Sequence, residues 1–281
     1  KLGNLSLRAR RVVEGALTGL HKSPHHGASV EFSEYKEYAP GDDIRRIDWK
    51  AYGRFDKYYV KRFEQETNLQ GYLLVDGSAS MEYKSPDAEW SKREYACVLA
   101  ASLAYLLIRQ QDAAGLVTFS EGPDEFVPPR ATTAHLRYIT QALEALEGEG
   151  GTDIVRALDH LAEFGRRRST LILLSDLFDT SPQLGDRLKR LRARGHEVAV
   201  FHVLDPWERT FPFADLTEFE DMEDPERRIV ADPRGMREAY LEEMEMFIDE
   251  VRRSCREGDV DYVGVTTNEP PDRVLVEFLA R

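Results

Sequence analysis

A doubly wound, mainly parallel α/β sheet is the fold class that this 281-residue sequence predicts. Three observations carry the prediction. From residue 69 onward, short apolar runs alternate with longer segments patterned at helical spacing, the order that builds parallel strands through right-handed crossovers. The run Thr170 to Ser175 is continuously apolar, as a central strand buried on both faces requires. Two strand runs stop at an acid, Asp76 and Asp176, which puts carboxylates at the sheet edge where such folds open a crevice to ligands.

The elements follow in order. Gln70 to Val75 is the first strand, and a helix spans Ala88 to Gln110 with an apolar stripe at Ala96, Leu99, Ala100, Leu103, Leu106 and Leu107. A strand from Ala114 to Phe119 closes at Ser120-Glu121-Gly122-Pro123, and Glu125 to Val127 returns from that turn. Helices over Ala134 to Leu146 and Ile154 to Phe164 flank a glycine-rich break, and Thr170 to Ser175 follows as a strand. A helix around Pro182 to Arg194 leads to a strand from Glu197 to Leu204. Residues 205–233 read as irregular, with four prolines and a hairpin at Thr217 to Asp232. A helix from Arg237 to Arg256, a strand from Asp261 to Thr266 and a terminal segment complete the chain. Residues 1–68 form an N-terminal extension that packs on the sheet or extends it, and 69–281 form the α/β domain. The extension reads as a helix over Leu5 to Leu20, a turn at Ala39 to Asp43 and a strand over Lys57 to Glu66.

Composition narrows the function. Formal net charge is -13, against what phosphate neutralisation needs, so nucleic acid is not an expected partner. Charge is uneven: residues 1–68 hold 13 Lys+Arg against 10 Asp+Glu, and the remainder is near -16. No stretch approaches the roughly 20 apolar residues of a membrane span. Cys97 and Cys255 lie in separate helical segments without metal-ligand spacing, which points away from a disulfide framework and toward a reducing, cytoplasmic setting.

Asp76-Gly77-Ser78-Ala79-Ser80 places one carboxylate and two hydroxyls at alternate positions beyond a strand. Taken alone this is also a turn capped by Asx and hydroxyl groups. Gly150-Gly151-Thr152-Asp153 adds a hydroxyl at a helix start, and Asp176 adds a second carboxylate. Together they form an all-oxygen donor set, the kind that suits Mg²⁺.

This set, in this order, resembles the metal-ion-dependent adhesion site of von Willebrand factor type A (vWA) domains, whose sheet is Rossmann-like. The resemblance implies that Ser78, Ser80 and Thr152 coordinate Mg²⁺ or Mn²⁺, with Asp76 and Asp176 acting largely through water. Glu31-Phe32, Tyr38-x-Pro40-Gly41-Asp42-Asp43-x-Arg45-x-Ile47-Asp48-Trp49, Arg54 and Val60-Lys61-x-Phe63-Glu64-x-Glu66 are similar to the N-terminal signature of a bacterial vWA branch catalogued as a domain of unknown function. Genes of that branch stand beside MoxR-type AAA+ ATPases. The implied function is a non-catalytic, metal-dependent protein-binding module: a partner's carboxylate binds the metal, and the chain serves as an adaptor for a MoxR-type ATPase in protein maturation or complex assembly. The alternative is a Mg-dependent phosphoester hydrolase, since carboxylates at strand ends also hold Mg²⁺ for catalysis. Against it stand Ser78 where a phosphatase of the aspartyl-phosphate type has a second Asp, and the lack of a phosphate loop. The acidic run Glu218 to Asp224 reads as a solvated loop, or as carboxylates that regulate the site or meet an ATPase.

Overall fold

A computed structural model describes residues 4–22, 36–37, 59–60, 69–164, 168–178, 183–224 and 226–280. Lys1–Lys22 and Leu69–Arg281 form one compact unit, and Ser23–Asn68 form a second. Of the second unit, the described part is an antiparallel pair of short strands, β1 (Lys36–Glu37) and β2 (Tyr59–Val60). The turn expected at Ala39 to Asp43, the rest of the strand expected over Lys57 to Glu66, and nearly all of the N-terminal signature lie outside the described residues.

The first unit opens with α1 (Leu5–Lys22) and then builds the sheet. Its strands are β3 (Gln70–Asp76), β4 (Ala113–Phe119), β5 (Pro123–Arg130), β6 (Thr170–Ser175), β7 (Glu197–Leu204) and, after a small hairpin, β10 (Asp261–Thr266). The order across the sheet is β10-β7-β6-β3-β4-β5, with only β5 antiparallel. From β3 the chain builds outward through β4 to β5, then returns to the other side of β3 and builds through β6, β7 and β10. The direction therefore switches between β3 and β6, where a doubly wound sheet opens its crevice. This is the mainly parallel α/β fold that the alternation of runs predicts.

Burial on both faces explains the near-continuous apolar strands. Leu73, Val75, Ile172, Leu174, Phe201 and Val203 point to one face, covered by α1, α2 (Lys92–Arg109), α3 (Thr133–Ala145) and α8 (Pro271–Leu279). Tyr72, Leu74, Leu171, Leu173, Val198 and Val200 point to the other, covered by α4 (Ile154–Phe164), α5 (Leu184–Ala193) and α7 (Pro233–Glu257). Helix α2 is buried well beyond its predicted stripe, with Cys97, Val98 and Ala101 also inside, because α1, α3 and α8 cover its outer side. Among the described residues no helix is long and apolar enough to cross a membrane.

Two helix starts lie four residues from where the sequence reading puts them and one short helix was not expected, each explained by its cap. Helix α2 starts at Lys92 rather than Ala88, because Ser91 and Glu94 form a capping box. Residues 206–210, read as irregular, form the short helix α6 (Pro206–Thr210), with Asp205 as cap, Pro206 in the first turn and Glu208 closing the box. Helix α7 begins at Pro233 rather than Arg237, with the Asp232 carboxylate accepting from Arg234 N–H at 3.1 Å. The hairpin between α6 and α7 consists of β8 (Thr217–Glu220) and β9 (Arg228–Ala231).

Edge strand β5 carries Pro123, Pro128 and Pro129, which donate no ladder hydrogen bond and are tolerated at an edge. It lies so close to β4 that a Cβ at Gly115 would stand 2.9 Å from Val127 O and 3.1 Å from Pro129 N. Gly115→Ala must push one backbone away from another. Urea unfolding is expected to show a loss of about 1–3 kcal/mol.

Candidate functional site

The first loop of the site leaves β3 at Asp76, which is fully buried. Its Oδ1 accepts the Ser78 N–H at 2.9 Å, an Asx turn that bends the chain as it leaves the strand. Its Oδ2 accepts the Ser175 hydroxyl at 2.5 Å, and Ser175 Oγ in turn accepts the Leu177 N–H at 3.0 Å. The end of β6 is thereby tied to the end of β3. Ser78 Oγ and Ser80 Oγ lie 3.1 Å apart, and Ser80 Oγ donates to Asp176 Oδ2 at 2.8 Å. Asp76, Ser78, Ser80 and Asp176, separated by up to 100 positions in sequence, therefore share one hydrogen-bonded cluster at the switch between β3 and β6.

The glycine-rich loop is stitched to the same turn. Ala79 N–H donates to Gly150 O at 3.0 Å, and Glu149 N–H donates to Gly77 O at 3.1 Å. Gly150 has φ +70°, a left-handed conformation that favours glycine. Beyond it Thr152 is 8% exposed and donates to Glu223 Oε1 at 3.3 Å. Asp153 caps α4, its Oδ1 accepting Arg156 N–H at 2.9 Å.

Several residues of the site were not singled out from sequence. Lys92, in the first turn of α2, is wholly buried. Its Nζ lies 2.7 Å from Asp176 Oδ2, 2.6 Å from Glu208 Oε1 and 4.6 Å from the centre of the Phe178 ring. Burial works against the ammonium, but Asp176 and then Glu208 outweigh it and hold the Lys92 pKa above its ordinary value. Asp205 is fully buried and accepts from Ser85 N–H at 3.0 Å and from Trp207 N–H at 2.8 Å. His202, also fully buried, has Nε2 at 2.9 Å from the Asp176 carbonyl and Nδ1 at 3.0 Å from Tyr262 OH. A carbonyl only accepts, so Nε2 carries the proton and Nδ1 accepts from the tyrosine. Burial pushes the imidazole down to about 4, in keeping with this neutral form.

The electrostatics are those of a site short of positive charge. Burial, and then the charge of Asp176, push the Asp76 carboxyl up to about 7. Two buried carboxylates, Asp176 and Glu208, share a single ammonium, and the buried Asp76 carboxyl is tied to Asp176 through Ser78 and Ser80. The donors at the rim of the site are oxygen alone. A hard divalent cation fits both the charge and the donors, whereas a soft metal would want sulfur or imidazole.

Residues 34–246 match the family described as "Protein of unknown function DUF58". An uncharacterised protein of Mycobacterium tuberculosis strain H37Rv is 28% identical over 283 residues, covering 99% of this chain and 88% of that protein. Among solved structures, the conserved hypothetical protein BatB from Bacteroides thetaiotaomicron matches with a TM-score of 0.50 and 18% identity, over 75% of this chain and 97% of that one. An aerotolerance-related membrane protein from Bacteroides fragilis matches with a TM-score of 0.50 and 19% identity, over 75% and 98%. At these identities the structural likeness is one of fold. The chain belongs to the DUF58 family, and its first unit is built on a mainly parallel α/β sheet.

Proposed function

We propose that Asp76, Ser78, Ser80, Thr152 and Asp176 hold Mg²⁺ or Mn²⁺, and that the chain is a non-catalytic module that binds a protein partner through it. The observation that carries this reading is the hydrogen-bonded cluster of Asp76, Ser78, Ser80 and Asp176 at the switch between β3 and β6, with the loop that carries Thr152 bonded through its backbone to the same turn. A divalent cation held by these residues would offer a partner's carboxylate a place to bind. The chain's own residues do the positioning. Ser175 and the Ser78 N–H orient Asp76, while Lys92 and Ser80 converge on one oxygen of Asp176 and hold the second acid in place. Mg²⁺ keeps waters where protein ligands run out, and a partner's carboxylate would replace one of those waters.

The partner we propose is a MoxR-type AAA+ ATPase, with the chain acting as its adaptor in protein maturation or complex assembly. The observation behind this finer step is the N-terminal signature, together with the DUF58 match over residues 34–246. Its test is binding of a purified MoxR-type ATPase with Mg²⁺ present and after EDTA. Asp76→Ala and Thr152→Ala are each expected to weaken the Mg²⁺-dependent part by roughly 10–100-fold, the range seen when even an outer-shell partner of a bound metal is lost. Unchanged affinity in both variants would remove the cation from the interaction. Turnover of a generic phosphoester with Mg²⁺, lost in Asp76→Ala, would replace the adaptor reading with hydrolysis.

A further inference from the structure

The hydroxyl of Thr152 meets an acid that lies 71 residues further along the chain. Its Oγ1 donates to Glu223 Oε1 at 3.3 Å, and Glu223 Oε2 lies 3.5 Å from where a Cβ on Gly151 would stand. The carboxylate thus sits over the Gly151-Thr152 segment, beside one of the five donors. When a threonine hydroxyl gives its lone pair to a cation, its proton must go to an acceptor, and Glu223 is the acceptor in place.

The loop that carries Glu223 is organised. Asp221 Oδ1 accepts the N–H groups of Glu223 at 3.0 Å and Asp224 at 3.3 Å, and Asp221 N–H donates to Arg227 O at 3.0 Å. At the base of the hairpin, Phe219 stacks on Phe211 with centroids 5.8 Å apart and meets Phe213 edge-on at 5.2 Å. Glu223 itself is exposed, so the end of this anchored loop can be displaced without disturbing the core.

Resting on the cation reading above, we propose that Glu223 is an internal stand-in for the partner's carboxylate. The β8–β9 loop presents it to the cation from the Thr152 side, and a partner binds by displacing it. A tethered carboxylate competes at high effective concentration, so the partner's apparent affinity falls by the fraction of molecules in which the position is open. The acidic loop is thereby a built-in restraint on docking, released when a partner engages the hairpin.

Mn²⁺ serves as the probe, with water-proton relaxation reporting exchangeable waters on the bound ion and acetate as a competing carboxylate. Wild type, Glu223→Ala and Asp76→Ala are compared as full chains. Glu223→Ala is expected to retain Mn²⁺, to show one more exchangeable water on the ion than wild type, and to lose that water to acetate at a concentration at least about fivefold lower, the low end of coupling between sites. Asp76→Ala is expected to lose Mn²⁺. Equal hydration and equal acetate response in wild type and Glu223→Ala, with Mn²⁺ still lost in Asp76→Ala, would overturn the role of Glu223 and leave the cation reading standing. Failure of wild type to bind Mn²⁺ would overturn both.

Discussion

Lys92→Met is expected to lower the unfolding free energy by about 3–5 kcal/mol, the usual consequence of removing one partner from a buried ion pair. The ammonium is fully buried and bonds to Asp176 at 2.7 Å and Glu208 at 2.6 Å. Methionine fills much of the same volume, so the loss is electrostatic: the buried carboxylates of Asp176 and Glu208 are left without their shared ammonium. The aliphatic stem of Lys92 and its contact with the Phe178 ring are secondary by comparison. Urea unfolding at pH 7 without divalent ions measures the effect. Adding Glu208→Gln to Lys92→Met is expected to recover part of it by removing one of the stranded charges. A loss below about 1 kcal/mol for the single variant would mean that the ammonium is not the counter-charge of the site.

Asp76→Asn is expected to act in the opposite direction on the cation-free protein. Asp76 is buried beside Asp176, and burial, with that neighbouring charge, makes its own charged form unfavourable in the fold. The amide keeps an oxygen for the Ser78 N–H and gives up the charge. Thermal unfolding without divalent ions should therefore shift upward by several degrees, on the order of 2–4 °C per kcal/mol for a domain of this size. The same substitution should erase the stabilisation by Mg²⁺, which for wild type is about 2.7 kcal/mol at a hundred times the dissociation constant. Higher stability with no response to Mg²⁺ is the signature of a carboxylate kept for binding rather than for folding. A variant that melts lower than wild type and still responds to Mg²⁺ would show that Asp76 serves the fold alone.

The sheet was legible because its strands are buried on both faces. Thr170–Ser175, Glu197–Leu204 and Asp261–Thr266 run as their apolar patterns imply, and β3 and β6 deliver Asp76 and Asp176 to neighbouring positions. Caps were less legible. The pairs Asp205-Pro206 and Asp232-Pro233 carry the signal of a helix start, an acid cap followed by proline, but their prolines also mark irregular chain. The supporting charges around the site were hidden for a different reason. Lys92 lies in Ser91-Lys92-Arg93-Glu94, which reads as a solvated first turn. Only tertiary packing against β6 and α6 turns Lys92 into a buried counter-ion. Ser175 and His202 likewise sit in apolar strands, where a single polar residue carries no sign of the partner it will meet.

Titration of Mg²⁺ into cation-free protein by calorimetry, for wild type beside Asp76→Ala and Thr152→Ala, tests the central claim most directly. The account predicts one site per chain in wild type, with affinity lost or reduced by at least about tenfold in both variants. Binding of equal affinity in all three proteins, or no binding to wild type at millimolar Mg²⁺, would contradict it.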